Sequence, residues 1–258
     1  MRLLAEEADE YIPLFRVFYD AFSNLNLNEA KRIAKVIVRR WPNYCTAHDH
    51  LGDAYGASGQ VLDAIRCYKA SLSLNADDAR ASFGLGRMLN QLGTESSKSE
   101  ARRYHQDALE LIKRSIHLRG GEARTYAVLG TTYGYLEQWE DAICYLCLAV
   151  ELEPDMPRAW IELGRAYYFA ADWQRAEEAF WKVLSLGMED FRVPHWLSAT
   201  LYQQQCYGEA IEYAVLALDS IPPGDSQHRE PIHWIISHAK EAMQSIFATS
   251  STVESPST

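Results

Sequence analysis

Apolar residues recur along the chain at the spacing of amphipathic helices, most clearly between residues 160 and 188. In this segment a first group of apolar or small residues lies at i, i+3, i+4 and i+7, which is one face of a helix. The group consists of Trp160, Leu163, Gly164 and Tyr167. Ala176 and Phe180 repeat the spacing further along. The pattern therefore predicts two amphipathic helices in this segment.

The same pattern returns at a nearly constant period, which is marked by six alanines that each begin an apolar run. Their successive separations are 34, 44, 34, 34 and 34 residues. A chain with such a period builds one supersecondary unit many times, and each unit can bury its apolar face only against its neighbours. The six alanines are Ala30, Ala64, Ala108, Ala142, Ala176 and Ala210.

Small and large residues alternate within the period in a way that suits close helix packing. Two helices approach closely only where neither carries a bulky side chain at the crossing. The first helix of four units has glycine there, at Gly52, Gly86, Gly130 and Gly164. Aromatic residues share one position just after the turn between helices, at Trp139, Trp173 and Tyr207. We expect the seven tryptophans of the chain to pack in the core rather than to contact ligands.

This arrangement resembles the tetratricopeptide repeat (TPR), whose pattern is W-x2-L-G-x2-Y, then A-x3-F, then P. The segment described first carries the pattern, and two upstream segments repeat it. Their matching residues are Leu129, Gly130, Tyr133, Ala142 and Pro154, and Leu51, Gly52, Tyr55, Ala64 and Tyr68. The resemblance implies an all-α fold, a right-handed α-solenoid of about six helix hairpins plus a C-terminal capping helix.

The alanines set the phase of the predicted repeats, which form one solenoid over residues 1–247. Residues 1–10 are expected to extend the first helix, and Pro231 to occupy the first turn of the capping helix. The tail 248–258 is small and polar and is expected to be disordered. The repeats are 11–44, 45–78, 79–122, 123–156, 157–190 and 191–224, and the capping helix is 231–247.

Two repeats depart from the pattern. Phe18 stands where most of the other repeats have glycine, so the first hairpin is expected to open wider or to shift in register. The third repeat is ten residues too long, with the excess around 94–103. Ser99 can cap its second helix, and helical spacing after Ser99 predicts that this helix is about two turns longer and protrudes.

The composition argues against a membrane-inserted or secreted protein. Of 258 residues, 48% are hydrophobic, and the formal net charge is −10. No stretch approaches 18 uninterrupted apolar residues, and no secretory signal is visible, so we expect no membrane insertion. An odd number of cysteines, five, favours reduced thiols and therefore the cytoplasm, with the nucleus as an alternative.

No residue set predicts catalysis. The chain has no P-loop, no dinucleotide glycine fingerprint and no G-x-S-x-G elbow. Cys144 and Cys147 form a C-x-x-C pair, but no second pair completes a zinc site, and core packing is expected for both. We therefore predict a protein that is not an enzyme and holds no metal or cofactor.

Arginines recur at equivalent positions of successive repeats, and this set, which we call the arginine ladder, makes the prediction of a binding surface more specific. The resemblance implies that the second, fifth, ninth, twelfth and thirteenth positions of each repeat face a concave groove. Arginine occupies the second position in four consecutive repeats, and the ninth in two of them. The planar guanidinium group of arginine can form two parallel hydrogen bonds with a carboxylate or phosphate group. These residues are Arg80, Arg124, Arg158 and Arg192, and Arg87 and Arg165.

Internal pairing is the alternative to ligand binding for this ladder. Arg80 is expected near Asp49 and Asp53, and Arg192 near Glu162, so both can be neutralised within the protein. Arg124 and Arg158 face no evident acidic residue. Both interpretations stay open from the sequence.

Aromatic and amide residues share the predicted groove, and such a surface suits an extended peptide with acidic and apolar side chains. Asp49 and Asp53 would make the second repeat acidic. The Lys and Asn residues of the carboxylate clamp that some TPR proteins use are absent from the fifth and ninth positions. The candidate peptide-binding residues are Arg87, Arg124, Arg158, Arg165, Arg192, Phe83, Asn90, Tyr135, Tyr168 and Tyr202.

The main functional hypothesis is a non-catalytic adaptor or scaffold that binds an acidic or C-terminal segment of a partner protein in the concave groove. One alternative is a constitutive subunit of a multiprotein assembly, which uses convex faces, the third-repeat helix and the apolar first repeat. That repeat also offers a surface for homo-oligomer formation. Single-stranded RNA is a distant alternative, because the net charge of −10 disfavours nucleic acid.

Overall fold

The structure, a computed structural model, describes residues 5–221 and 224–253, and within them the chain is built from α-helices. Consecutive helices pair as antiparallel hairpins, so the prediction of an all-α fold made from helix hairpins is confirmed. The chain forms two compact units, Met1–Glu137 (the first unit) and Gln138–Thr258 (the second unit).

The first unit contains three hairpins and one further helix. The described part of α1 includes residues 5–10, as predicted, and residues 1–4 lie outside the described residues. The helices are α1 Ala5–Ser23, α2 Leu27–Arg40, α3 Cys45–Ala57, α4 Val61–Leu74, α5 Ala79–Thr94, α6 Lys98–Arg119 and α7 Ala123–Tyr135.

The second unit begins with one helix, continues with two hairpins and ends with a long helix. Because the unit boundary follows Glu137, the two helices of the predicted repeat 123–156 belong to different units. One uninterrupted solenoid over residues 1–247 stays a prediction. The helices are α8 Trp139–Leu152, α9 Pro157–Phe169, α10 Trp173–Ser185, α11 Arg192–Gln203, α12 Tyr207–Ser220 and α13 Ser226–Val253.

Three-residue turns join most helix pairs, and their middle residue adopts a left-handed conformation in five turns. Only one of the five is a glycine. The middle residues and their φ angles are Leu25 (58°), Gly59 (73°), Glu137 (61°), Ala171 (60°) and Gln205 (65°). A left-handed conformation is costly for a residue with a Cβ atom, so the fold imposes these turns against local preference.

Glycines on the first helices leave room for large side chains of the second helices. A Cβ atom on Gly52 would lie 2.8 Å from the Tyr68 ring, and one on Gly164 would lie 2.7 Å from the Phe180 ring. The third hairpin has the same arrangement with an aliphatic partner, since a Cβ atom on Gly86 would lie 2.8 Å from Ile112. The steric role predicted for these glycines is therefore present.

In the first hairpin the large side chain lies on the first helix and the small one lies on the second. Phe18 is buried on α1, and the residue of α2 at the position of Tyr68 is Ala34, which is also buried in the same apolar cluster. The small side chain of Ala34 offsets the large ring of Phe18. The hairpin accommodates Phe18 in this way, whereas the sequence predicted a wider or shifted hairpin.

The ten extra residues of the third repeat lengthen both of its helices. Helix α5 has 16 residues and α6 has 22, and the turn between them keeps three residues. The extra turns pack against each other, since a Cβ atom on Gly93 would lie 2.6 Å from the His105 ring. The predicted lengthening of α6 by about two turns is confirmed, whereas its predicted protruding end is wrong because α5 is lengthened beside it. The N-cap position of α6 is Ser97 rather than Ser99.

The last helix is longer than predicted at both ends. Helix α13 begins at Ser226, so Pro231 lies inside it rather than in its first turn. It continues to Val253, six residues beyond the predicted end at 247, because no glycine or proline after Pro231 interrupts this stretch. The predicted disorder of the tail 248–258 stays a prediction, and 254–258 lie outside the described residues.

Candidate functional site

A cleft of about 610 Å³ opens in the first unit between the first helices of its hairpins. Helices α1, α3, α5 and α7 line it, together with the end of α6. Its charged lining residues are four arginines and two carboxylates, which gives the lining a formal charge of +2 in a chain of net charge −10. We call it the basic cleft. The charged residues are Arg80, Arg87, Arg119, Arg124, Asp53 and Glu122.

Two of the four arginines pair with the two carboxylates. Arg80 forms an ion pair with Asp53, as predicted, and Tyr68 donates its hydroxyl hydrogen to the same carboxylate over 2.6 Å. Arg119 lies 3.3 Å from Glu122. The other two arginines of the lining are Arg87 and Arg124.

Arg87 and Arg124 occupy different surroundings in the basic cleft. The Arg87 guanidinium lies 5.8 Å from the centre of the half-buried Phe83 ring. Arg124, in the first turn of α7, is exposed and forms no ion pair with any residue that the structure describes. The cleft thus brings together three predicted site residues, Phe83, Arg87 and Arg124, and Arg124 is exposed in it.

The α1 side of the basic cleft is apolar. Tyr19, Phe22 and Leu25 line it, and the exposed fractions of Tyr19 and Leu25 are 59% and 80%. Together with Met88 on α5, these side chains give the cleft an apolar wall beside its arginines. A ligand with both acidic and apolar groups matches this lining.

Asp49 lies beneath the surface, although the sequence predicted an acidic groove residue there. Its side chain is buried, and burial raises the pKa of Asp49 to about 7, with nearby Asp78 and Asp53 acting in the same direction. The neighbouring His50 is stacked between Phe15 at 4.7 Å and Phe18 at 5.0 Å. Burial lowers the pKa of His50 to about 4, so its ring is neutral near pH 7.

Asn90 and Tyr135 contact the same internal cluster, and the burial of Asn90 contradicts its prediction as a peptide-binding residue, whereas that of the half-buried Tyr135 stays a prediction. The buried Asn90 amide donates to Thr132 Oγ1 over 2.7 Å and accepts from His105 Nδ1 over 3.1 Å. The Tyr135 ring stacks on His105 at 4.6 Å. Both residues therefore support the lengthened third hairpin.

Carboxylates neutralise most of the predicted arginines of the second unit. Arg165 pairs with Glu162 over 2.7 Å. Arg192 pairs with Asp190 over 2.5 Å, so the prediction of Glu162 as its partner is wrong. Hydrogen bonds from Arg192 hold the pKa of Asp190 below its usual range, and the charge of the exposed Arg158 acts in the same direction.

Tyr168 and Tyr202, the remaining predicted site residues, lie half-buried among other aromatic rings of the second unit. Tyr168 contacts Trp196 at 5.4 Å, and Tyr202 contacts Trp234 at 5.5 Å. The expectation that all tryptophans pack in the core is wrong for Trp181 and Trp234, whose exposed fractions are 41% and 50%. Arg119 was missed because it ends a second helix, and only first-helix positions were expected to face the groove.

Other candidate chemistry is sparse. In the described part of the chain, no three His, Cys, Asp or Glu residues cluster in a way that could hold a metal ion. No described helix is both long and apolar enough to cross a lipid bilayer. The cysteines form no disulfide, and Cys144 is exposed, contrary to its expected core position, whereas Cys147 is half-buried beside the Tyr167 hydroxyl.

Comparison with known proteins finds a family model and a curated relative that are similar to this chain. A family model for the tetratricopeptide repeat matches residues 51–97 and 128–191. Superkiller protein 3 of Schizosaccharomyces pombe is 26% identical over 193 residues, which are 71% of this chain and 13% of that protein. The chain thus spans 13% of the length of this curated relative.

Solved structures with a similar fold include YrrB, the APC/C hetero-tetramer Cut9–Hcn1 and PilF. YrrB, described as a TPR protein with an unusual peptide-binding site, has a TM-score of 0.59 at 18% identity, over 81% of this chain and 97% of YrrB. The APC/C hetero-tetramer Cut9–Hcn1 has a TM-score of 0.65 at 19% identity, over 91% and 41%. PilF of Pseudomonas aeruginosa has a TM-score of 0.64 at 16% identity, over 87% and 97%. At these identities the likeness concerns the fold. Helix hairpins and steric glycines agree with the family match, and residues 51–97 and 128–191 are similar to tetratricopeptide repeats.

Proposed function

We propose that the protein is a non-catalytic adaptor that binds an acidic or C-terminal segment of a partner protein in the basic cleft. The observation that carries this proposal is the exposed Arg124, which lines the cleft and forms no ion pair with any described residue, in a chain whose net charge is −10. Charge-assisted hydrogen bonds from guanidinium to carboxylate are short and directional, and they are stronger than neutral ones.

The shape of the basic cleft favours a peptide segment as the ligand. It lies across several helices rather than inside one hairpin, and it combines arginines with the apolar side chains of α1. Segments of partner proteins bind such surfaces through a few anchoring side chains and charged groups. The peptide-binding site that the description of YrrB mentions, on a similar fold, is consistent with this use.

A peptide selection tests the proposal and does not require the partner to be identified. The full chain is used to select from a random library of twelve-residue peptides, and we expect a class rich in Asp and Glu. Arg87→Glu combined with Arg124→Glu should lower the affinity of the strongest acidic peptide at least tenfold, because each lost charged hydrogen bond is worth about 1.5–3 kcal/mol.

A matched control changes the same charge outside the basic cleft. Arg102→Glu with Arg103→Glu alters two exposed arginines on α6, and this variant should bind the acidic peptide as the wild type does. Equal loss in both double variants would indicate a general effect of net charge. Unchanged affinity in the cleft variant, or selection without acidic peptides, would contradict binding in the basic cleft.

A permanent structural role in a larger assembly is the second candidate function, and exposed apolar side chains on α1 favour it. Ile12, Val17 and Tyr19 are all exposed there, and such a face suits a protein interface or a second copy of the chain. Sedimentation of the purified chain tests the second copy. A monomer at high concentration excludes self-association, and loss of a co-purified partner in Ile12→Ser with Val17→Ser supports the assembly role.

A further inference from the structure

A row of aromatic rings runs across helices α8, α9, α11 and α13 of the second unit. The Trp139 and Phe169 rings stack at 4.7 Å, and Phe169 contacts Trp196 at 5.6 Å. Tyr168 and Tyr202 pack against one buried cluster around Ala199, next to Trp196 and Trp234. We call this set the aromatic row: Trp139, Tyr168, Phe169, Trp196, Tyr202 and Trp234.

The aromatic row is only partly covered by the protein. Phe169 is 45% exposed and Trp234 is 50% exposed, while the other four rings are half-buried. Large exposed rings held in place by ring contacts are typical of binding surfaces, because they add contact area without much loss of side-chain freedom on binding. The row therefore offers a preformed apolar surface.

Two arginines beside the aromatic row are already paired with carboxylates. Arg165, which lies 5.4 Å from the Trp196 ring centre, pairs with Glu162, and Arg192 pairs with Asp190. Burial lowers the pKa of His195, which stacks on Trp196, so this ring is neutral near pH 7. An acidic ligand gains little at this surface, in contrast to the basic cleft, and a ligand without charge fits it better.

The row also carries hydrogen-bond donors without protein acceptors. The indole N–H groups of Trp139, Trp196 and Trp234 donate to no protein atom within the described residues, whereas the Trp160 indole donates to the Pro154 carbonyl over 2.8 Å. A polyproline II segment has no internal hydrogen bonds, and it exposes its carbonyl groups as acceptors. Aromatic grooves with such donors are the surfaces on which proline-rich segments dock.

We propose that the aromatic row binds a proline-rich segment of a partner protein in the polyproline II conformation. Proline rings would pack on Phe169 and Trp234, and the indole N–H groups would donate to the carbonyl groups of the segment. This site differs from the basic cleft in ligand chemistry and in the unit that contains it. It does not depend on the function proposed for that cleft.

The same library of random twelve-residue peptides, selected on the full chain, tests this proposal. We expect a second class of peptides, rich in proline and poor in charge. Phe169→Ala with Trp234→Ala should lower the affinity of the strongest member of this class at least tenfold and leave the acidic class unchanged. Both side chains are substantially exposed, so the variant should fold, as a thermal unfolding curve would verify.

Trp181→Ala is the matched control. Trp181 is 41% exposed on α10 and contacts Tyr213, away from the aromatic row. This variant should retain the affinity of the proline-rich peptides. The proposal fails if no proline-rich class is selected, if that class binds the Phe169→Ala, Trp234→Ala variant as well as the wild type, or if the control loses it equally.

Discussion

At the scale of single residues, the first unit buries two adjacent titratable groups whose pKa values move in opposite directions. Burial raises the pKa of Asp49 to about 7 and lowers the pKa of His50 to about 4. For Asp49, the contribution to stability is complete below its unfolded pKa near 4 and is lost as the pH rises through 7. For His50, it is complete above about 6.5 and is lost as the pH falls through 4.

Replacing Asp49 separates the two effects. Asp49→Asn should raise the free energy of unfolding by about 1 kcal/mol or more at pH 8, where the buried carboxylate is charged, with little gain at pH 4. Urea denaturation across this pH range measures the effect. Asp107→Asn, at an exposed position, is the control and should show no such pH dependence. An equal gain at pH 4 and pH 8 would contradict the assignment.

A second prediction at this scale concerns the turns. Ala171 has a φ of 60°, where a Cβ atom costs about 1–2 kcal/mol. Ala171→Gly should therefore stabilise the protein by several tenths to about 1 kcal/mol, after the entropy that glycine loses on folding. The adjacent Ala170, with a φ of −79°, is the control, and Ala170→Gly should destabilise. Thermal or urea unfolding that ranks the two variants in reverse would show that the turn is not strained.

At the scale of helices, the period of small and apolar residues was sufficient to predict the hairpins, because each repeat meets the same steric requirement. The repeat pattern was less able to predict the partners of individual side chains. Arg192 pairs with Asp190, two residues earlier, and Asn90 turns inward to His105. These choices depend on rotamers and on the lengthened α5 and α6, neither of which follows from the repeat pattern.

The lengthened third hairpin gives a prediction at the same scale. Gly93→Ala should destabilise the protein by about 1–3 kcal/mol, because the new Cβ atom would lie 2.6 Å from the His105 ring. This ring is held in place by its hydrogen bond to Asn90. Gly208→Ala is the control in α12. A Cβ atom there has no neighbour within 4 Å, so the change should be neutral or mildly stabilising. Urea unfolding of both variants measures the difference, and equal stability would argue against close packing at Gly93.

At the scale of the whole molecule, the two units carry surfaces of different ligand chemistry, which suits the proposed adaptor. The lining of the basic cleft has a formal positive charge in a chain of net charge −10, whereas Arg165 and Arg192 beside the aromatic row are paired with carboxylates. The sequence predicted one continuous groove, acidic at the second repeat and lined by arginines and aromatics in the later repeats. The structure separates these chemistries, because carboxylates close to Arg165 and Arg192 in the chain neutralise them.

Salt should distinguish the two sites. Raising sodium chloride from about 0.15 to about 1 M shortens the screening length from about 8 to about 3 Å, so the affinity of acidic peptides should fall several-fold or more. Proline-rich peptides should bind as well or better, because their binding rests on apolar contact. Calorimetric titrations at both salt concentrations provide the comparison. An acidic class that is insensitive to salt would point to apolar anchoring instead.

The most direct test of the central claim is a charge exchange between the chain and its ligand. The acidic peptide selected on the wild type is titrated into Arg124→Glu, and then a version with its glutamates replaced by lysines is titrated into both proteins. We predict that the acidic peptide loses affinity for the variant and that the lysine peptide binds the variant more tightly than it binds the wild type. If the lysine peptide shows no preference for Arg124→Glu, Arg124 does not contact the ligand, and the proposed use of the basic cleft is contradicted.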